Sequence, residues 1–345
     1  MRSPGSEAVW PHRMAVTLAC ATFPLLFIGG LVTSKGAGLA VPDWPTTFGY
    51  NMFLYPWSKM VGGVFYEHSH RLIGSTVGLL TVVLALWLWT REPRPWVRWL
   101  GLVAVLGVIV QGVLGGLRVV LVQHGLALVH ACVAQAFLGL MVGLAVVTSS
   151  HWQNASPPRS VEVTRCGPLA LVTATLVYLQ IGFGVLLTHT GGWLSGHLMF
   201  AGLVTGAILL LAGRILAPTE RPAPGSEMSG ARSLGTGSAD PGAPLRRLAV
   251  LLVALVGIQL GLGIGAYLWR FAGLGVAMSA EAGLAILATH RLTGTLLWAT
   301  TVVLWLWIAR SSVGEGLATR PGSAAPLSGR YEPRPTNPSS SEVLA

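Results

Sequence analysis

The sequence predicts an all-α polytopic membrane protein, with eight transmembrane helices forming two four-helix bundles related by a pseudo-twofold repeat. Three observations lead there. Charged residues make up 10% of the chain and apolar residues 52%, against about 25% charged in an ordinary soluble domain. The mean hydropathy is +0.65, and eight apolar stretches each approach the roughly 20 residues that a spanning helix needs. Histidines recur near the start of every second stretch, at a depth where an ionisable side chain is costly and marks function.

Hydropathy places the spans at 14–32, 72–90, 97–117, 126–148, 168–188, 196–216, 248–268 and 283–309. The first has signal-peptide character, but no small-residue cleavage site closes it and seven more spans follow, so it reads as a retained anchor. Spans one to four form an N-terminal half, 14–148, and spans five to eight a C-terminal half, 168–309, joined by a linker at 149–167. The first loop, 33–69, is rich in Trp, Tyr, Pro and Gly and is expected to fold back over one end of the bundle. Segments 217–244 and 310–345 are dominated by Pro, Gly, Ser and Ala and bury too little apolar surface to offset their ordering entropy. Both are expected to be unstructured.

Lys and Arg alternate between loops. Arg2, Arg13, Arg91, Arg94, Arg98, Arg159, Arg165, the sixth loop and the tail fall on one side; Lys35, Lys59, Arg118 and Arg270 fall on the other. The positive-inside rule then puts segment 1–13 and the C-terminal tail in the cytoplasm. The net charge of +10 is therefore a topology signal rather than a nucleic-acid footprint, since no basic run is interleaved with aromatics. Cys20, Cys132 and Cys166 have neither zinc-site nor disulfide spacing, and at least two of them read as buried apolar thiols.

His70, His130, His197 and His290 fall near the N-terminal ends of the four even-numbered spans, which all start on the outer side. Their imidazoles converge on the outer leaflet. Imidazole is a good iron ligand, and two from facing helices can clamp a haem, so two pairs imply two haem sites. A parallel repeat equates His70 with His197, and Gln111-Gly-Val-Leu-Gly-Gly with Gln259-Leu-Gly-Leu-Gly. The best local match nevertheless runs crosswise, His70-Arg-Leu-Ile-Gly against His290-Arg-Leu-Thr-Gly, as if each His-Arg pair met a similar haem edge. Arg71 and Arg291 are placed to pair with haem propionates, the bland alternative being interfacial snorkelling.

Glu67 lies three residues before His70 on the same helical face, whereas Leu287 occupies that position before His290. A carboxylate beside one haem alone suggests chemistry at that site, with Glu67 as proton donor or acceptor; the competing account is a carboxylate complementing a helix N-terminus. Gly112, Gly115, Gly116, Gly182, Gly184, Gly261, Gly263 and Gly265 read mainly as close-packing positions. His68, His124 and His189 read as solvated interfacial histidines, and His12 and His151 as cytoplasmic.

These residues resemble a known family. Glu67-His-Ser-His70-Arg71-Leu-Ile-Gly is similar to the Glu-x-x-His-Arg motif of the haem A synthase family, and Pro42-Asp43-Trp44-Pro45 to a pattern in its first outer loop. His130, Gly196-His197 and His290-Arg291 fall where the remaining ligands are expected, and the likeness covers roughly residues 29–309. The resemblance implies an oxidoreductase of a bacterial inner membrane that oxidises the C8 methyl of haem O to a formyl group with O2. The oxidation proceeds by successive hydroxylations, the hydrated aldehyde losing water, and gives haem A for cytochrome oxidase. It implies haem b on His197 and His290, substrate haem O on His70 and His130, Glu67 as the catalytic carboxylate, and haem O synthase and oxidase assembly factors as partners. One departure matters: many members carry a cysteine pair in the first outer loop, and segment 33–69 has none. A thiol relay there is excluded, and the electron donor is not readable.

Two competitors remain. A di-haem cytochrome b passing electrons from quinol to a partner explains the histidines but gives Glu67 no special work. A haem transporter or chaperone would carry a Trp-rich outer motif, for which Trp44 and Trp57 are too sparse.

Overall fold

Lipid offers no hydrogen bonds to a backbone, so apolar segments of this length satisfy their own amides as helices. A computed structural model describes residues 9–154, 165–217, 242–272 and 278–318. Eight long helices dominate it: α1 (Val9–Ser34), α2 (Gly62–Arg91), α3 (Pro95–Val120), α4 (His124–Thr148), α5 (Gly167–Thr190), α6 (Leu194–Leu216), α7 (Ala243–Arg270) and α8 (Ala280–Ala318). All eight are long and apolar enough to cross a membrane, and among the described residues there is no strand. The chain is a multi-pass membrane protein. Pro95 opens α3 and Pro168 opens α5 in the first turn, where the missing N–H removes no helical bond. Gly191 ends α5 in the left-handed conformation.

Helices α1 to α4 pack as a closed ring of neighbours, and α5 to α8 pack as a second ring. The expectation of two four-helix bundles is met. Their seam runs along α1, α4, α5 and α8. Polar contacts fasten it where apolar packing gains little over lipid. Trp298 Nε1 donates to the Gln135 carbonyl at 2.9 Å, Gln135 Nε2 to Thr295 Oγ1 at 3.2 Å, and the Tyr178 hydroxyl to the Cys132 carbonyl at 3.0 Å. A Cβ built on Gly139 would lie 2.9 Å from the Trp298 ring, so α4 and α8 meet there only because that position is glycine.

Each bundle is layered along its axis. The largest fully buried side chains, Leu84, Leu88, Leu138, Met141 and Leu144 in one half and Ile208, Leu211, Leu252, Leu304 and Ile308 in the other, gather at one end. The four paired histidines lie towards the opposite end, where the α1–α2 loop also lies. Buried hydroxyls do not break the apolar end, because Thr22, Thr81, Thr148 and Thr301 each donate to the carbonyl four residues earlier.

Boundaries differ modestly from expectation. Helix α1 starts at Val9, inside the segment read as a cytoplasmic N-terminus, and α8 runs on to Ala318, into the segment read as a tail. The linker contains one helical turn, Ser150–Asn154. Residues 155–164, most of the sixth loop (218–241) and the tail from 319 lie outside the described residues.

Candidate functional site

The eight helices bring the four histidines together as two pairs. His70 of α2 faces His130 of α4 with ring centres 6.4 Å apart and planes 70° to one another. His197 of α6 faces His290 of α8 at 6.4 Å and 68°. Two imidazoles binding one metal from opposite sides, at roughly 2 Å each, place their ring centres about 6 Å apart. Both pairs meet that spacing. Among the described residues no group of three His, Cys, Asp or Glu could hold a metal ion. A metal held by either pair would take two ligands from the protein and the rest from its own macrocycle, as a haem iron does.

Two further features fit that use. The Nδ1 atom of each of the four rings is buried without a hydrogen-bond partner, an expense in an apolar interior that a bound group or water can remove. Each ring also packs on a glycine of the preceding helix. A Cβ built on Gly29, Gly115, Gly184 or Gly263 would lie 3.0, 3.4, 3.3 or 3.2 Å from Cε1 of His70, His130, His197 or His290 respectively. Three of these glycines follow a glutamine by four residues, one helical turn. Gln180 and Gln259 place their amide nitrogens 3.5 and 3.3 Å from Nε2 of His197 and His290. Gln111 instead donates to the His130 carbonyl at 3.1 Å.

The glycines at Gly115, Gly184 and Gly263 therefore do more than let helices approach, and Gly29 was not recognised at all. The repeated Gln-x-x-x-Gly spacing on α3, α5 and α7 was the available signal; α1 hides it by carrying Leu25 in the glutamine position. Gly112, Gly182 and Gly261 face nothing within 4 Å, whereas Gly116 lies under the Trp44 ring.

The surroundings of the pairs differ. In the N-terminal half the loop between α1 and α2 folds over the helix ends, as expected, and its anchors are the motif residues. Glu67 is buried; its Oε2 accepts from the Val41 amide at 3.0 Å and its Oε1 from Arg71 at 2.9 Å. Arg71 also donates to the carbonyls of Val41, Asp43 and Thr46 at 3.0, 2.7 and 3.1 Å. Both terminal nitrogens of Arg71 are thus engaged by the loop and Glu67, where a macrocycle carboxylate had been expected. Asp43 organises the turn, accepting from the Phe48 amide at 2.7 Å, the Gly49 amide at 2.9 Å and the Thr46 hydroxyl. Burial works against its charge, but the bonds from Gly49, Thr46 and Phe48 outweigh that and hold the carboxyl below its ordinary value of 3.8.

His68 corrects an expectation. It is buried rather than solvated, because the folded loop covers it: Nδ1 lies 3.1 Å from the Thr47 hydroxyl and the ring packs on Tyr55 at 5.1 Å. His12 and His151 lie at the opposite end from the pairs, against the Ala145 carbonyl at 3.0 Å and the Trp307 ring at 4.9 Å. His189 is half-buried near the end of α5, and the side chain of His124 lies outside the described residues.

In the C-terminal half the loop equivalent to 35–61 is the short Gly191-Gly192-Trp193 turn. Three residues before His197 and His290 stand Leu194 and Leu287, where Glu67 stands before His70. Arg291 donates to the Gly30 carbonyl at 2.9 Å and the Ser34 hydroxyl at 2.6 Å, both on α1, tying the halves together. It lines a cavity of about 490 Å³ with Thr33, Ser34, Thr188, Trp269 and Arg270. The arrangement can thus hold two metal macrocycles side by side, with a buried carboxylate near one of them.

A model of the cytochrome oxidase assembly protein family matches residues 12–195, which include Glu67, His70 and His130 and end two residues before His197. Among individual proteins, the chain is 30% identical over 189 residues to the heme A synthase of Shouchella clausii, covering 53% of this chain and 60% of that one. It is 26% identical over 180 residues to the heme A synthase of Halalkalibacterium halodurans, covering 50% and 57%. Similarity to the heme A synthase of Beijerinckia indica extends over 239 residues at 26% identity, covering 59% and 62%. The aligned region thus spans less than two thirds of each of these relatives. With more than half of its residues matched by the family model, this chain belongs to the cytochrome oxidase assembly protein family.

Proposed function

We propose that this protein is a haem A synthase, oxidising the C8 methyl group of haem O to a formyl group with O2. The carrying observation is that, among the described residues, a buried carboxylate, Glu67, lies one helical turn from a paired histidine in only one of two imidazole pairs of equal spacing. The names of the relatives and the family match support the same reading. In it, His70 and His130 hold haem O, while His197 and His290 hold haem b as cofactor. The two bundles are copies related by a pseudo-twofold axis, with both termini cytoplasmic in a bacterial inner membrane and both pairs near its outer leaflet. A haem iron supplies the redox chemistry that amino acids lack.

The chain's own groups do the rest. The imidazoles would hold each macrocycle between two facing helices, and the glycines beneath them allow the imidazole rings to lie close to the preceding helices. Glu67 sits one helical turn before His70, within the same buried layer as Arg71, where it holds or moves a proton during successive hydroxylations. The loop excludes water from that half. Haem O synthase and oxidase assembly factors are the expected neighbours, and a reductant arrives by a route that does not use loop thiols.

A di-haem cytochrome b keeps one supporting observation: both Glu67 oxygens already have partners, Arg71 and the Val41 amide, as a purely structural carboxylate would. Co-expression with a haem O synthase, followed by chromatography of extracted haems, separates the two. Haem A or hydroxylated haem O alongside haem b is the expected result. Haem b alone would reject the synthase.

A further inference from the structure

We infer that Arg118, at the end of α3, anchors a carboxylate arm of the macrocycle held by His70 and His130. The inference rests on the reading that this pair binds a haem. Haem carboxylates need a cation at the edge of the site, and a guanidinium fork suits them best. Arg71 is the obvious candidate from sequence, but its terminal nitrogens already donate four hydrogen bonds to the loop and Glu67. Using it would dismantle the loop.

Arg118 has the complementary situation. It lies three residues beyond Gly115, the glycine on which His130 packs, and so leaves α3 on the face turned towards that imidazole. Its charge acts on His70, His130 and Glu67 together, which places it at their common edge. The side chain is half-buried, and among the described residues no group accepts a hydrogen bond from its guanidinium. A half-buried guanidinium at this edge, with no hydrogen-bond acceptor among the described residues, is placed to receive an anionic group of a bound ligand. Its end reaches the outer loop: a Cβ built on Gly38 would lie only 1.8 Å from Nη2, so Gly38 leaves the space that the guanidinium occupies. The C-terminal half offers a parallel in Arg270, seven residues beyond Gly263 on the same face of α7, which lines the cavity beside Arg291.

Optical titration of the purified full chain, already carrying its C-terminal haem, tests this with two probes: haem O and its dimethyl ester, which lacks the free carboxylates. Arg118→Gln should weaken haem O binding by about tenfold to a hundredfold, the range of a lost charge-assisted bond, and leave ester binding unchanged. Retained C-terminal haem in the variant reports that it is folded. Gly38→Ala, which pushes the guanidinium aside without removing it, should weaken haem O in the same selective way by a smaller factor. Equal weakening of both probes, or unchanged haem O affinity in Arg118→Gln, would overturn the assignment. Failure of the unmutated chain to bind either probe, with the same result in His70→Ala, would instead overturn the haem site on which it rests.

Discussion

The two bundles hold their imidazole pairs at the same spacing and cover them differently. Over His70 and His130 lies a loop of 27 residues, 35–61, fastened by Arg71, Glu67, His68 and Asp43. Over His197 and His290 there is the three-residue turn 191–193 between α5 and α6. The difference teaches where two bundles with the same pair spacing diverge. The helices that position the imidazoles are shaped by packing and leave little freedom, whereas a long loop can bring backbone amides and carbonyls onto helix side chains such as Glu67 and Arg71 on one side only. The proposed chemistry lies in the half that carries the long loop.

Removing the carboxylate is the strongest way to break that comparison. Glu67→Ala should lower haem O conversion by roughly 10²–10⁴-fold, the range for a lost proton-transfer group, while haem at His197 and His290 is retained. Chromatography of haems extracted from the co-expressed variant gives the answer; sustained haem A would make Glu67 a loop anchor only.

Packing beneath the rings should be felt equally in both halves. Gly115→Leu and Gly263→Leu each force a branched side chain against an imidazole, and haem affinity in the affected half should fall by roughly 5- to 150-fold, the usual penalty of overpacking. Gly112→Ala and Gly261→Ala, whose new methyl groups meet nothing within 4 Å, should bind haem normally. Equal losses in all four variants, read by optical titration, would show that the glycines serve helix association alone.

The lid can be loosened without touching the ligands. Arg71→Gln removes charged bonds to three loop carbonyls and should speed hydrogen exchange of the Val41 amide by about tenfold or more. The C-terminal half should not change.

The smallest effect is in acid. Because the folded Asp43 carboxyl titrates below its ordinary 3.8, its stabilisation is complete above that value and is lost as pH falls through the lower folded value. Protection of the Phe48 and Gly49 amides, corrected for intrinsic rates, should hold steady from about pH 7 to about pH 5 and weaken only below about pH 4. A decline beginning near neutrality would assign the turn to another group.

The helices, the pairing of the histidines and the folding back of the first loop were all legible in the sequence, because hydropathy and the cost of a buried imidazole act locally along the chain. Individual side-chain partners were less so. His68 and His70 lie two residues apart in one polar run, Glu67-His-Ser-His-Arg71, and only the fold decides that one is capped by Thr47 of the returning loop while the other faces His130. Arg71 and Arg291 share a sequence context, yet the first is taken up by loop carbonyls that have no counterpart near the second. Arg118 looked like a topological charge until the fold set it against Gly38. Such assignments depend on contacts across 21 or more residues, which periodicity does not encode.

The most direct measurement is the kind of haem retained when each pair is broken in turn, in protein co-expressed with a haem O synthase. His130→Ala should keep haem b and lose haem O and haem A, whereas His197→Ala should lose haem b. The same loss of haem b from both variants, with no haem O or haem A in the unmutated protein, would contradict a division of labour between the halves.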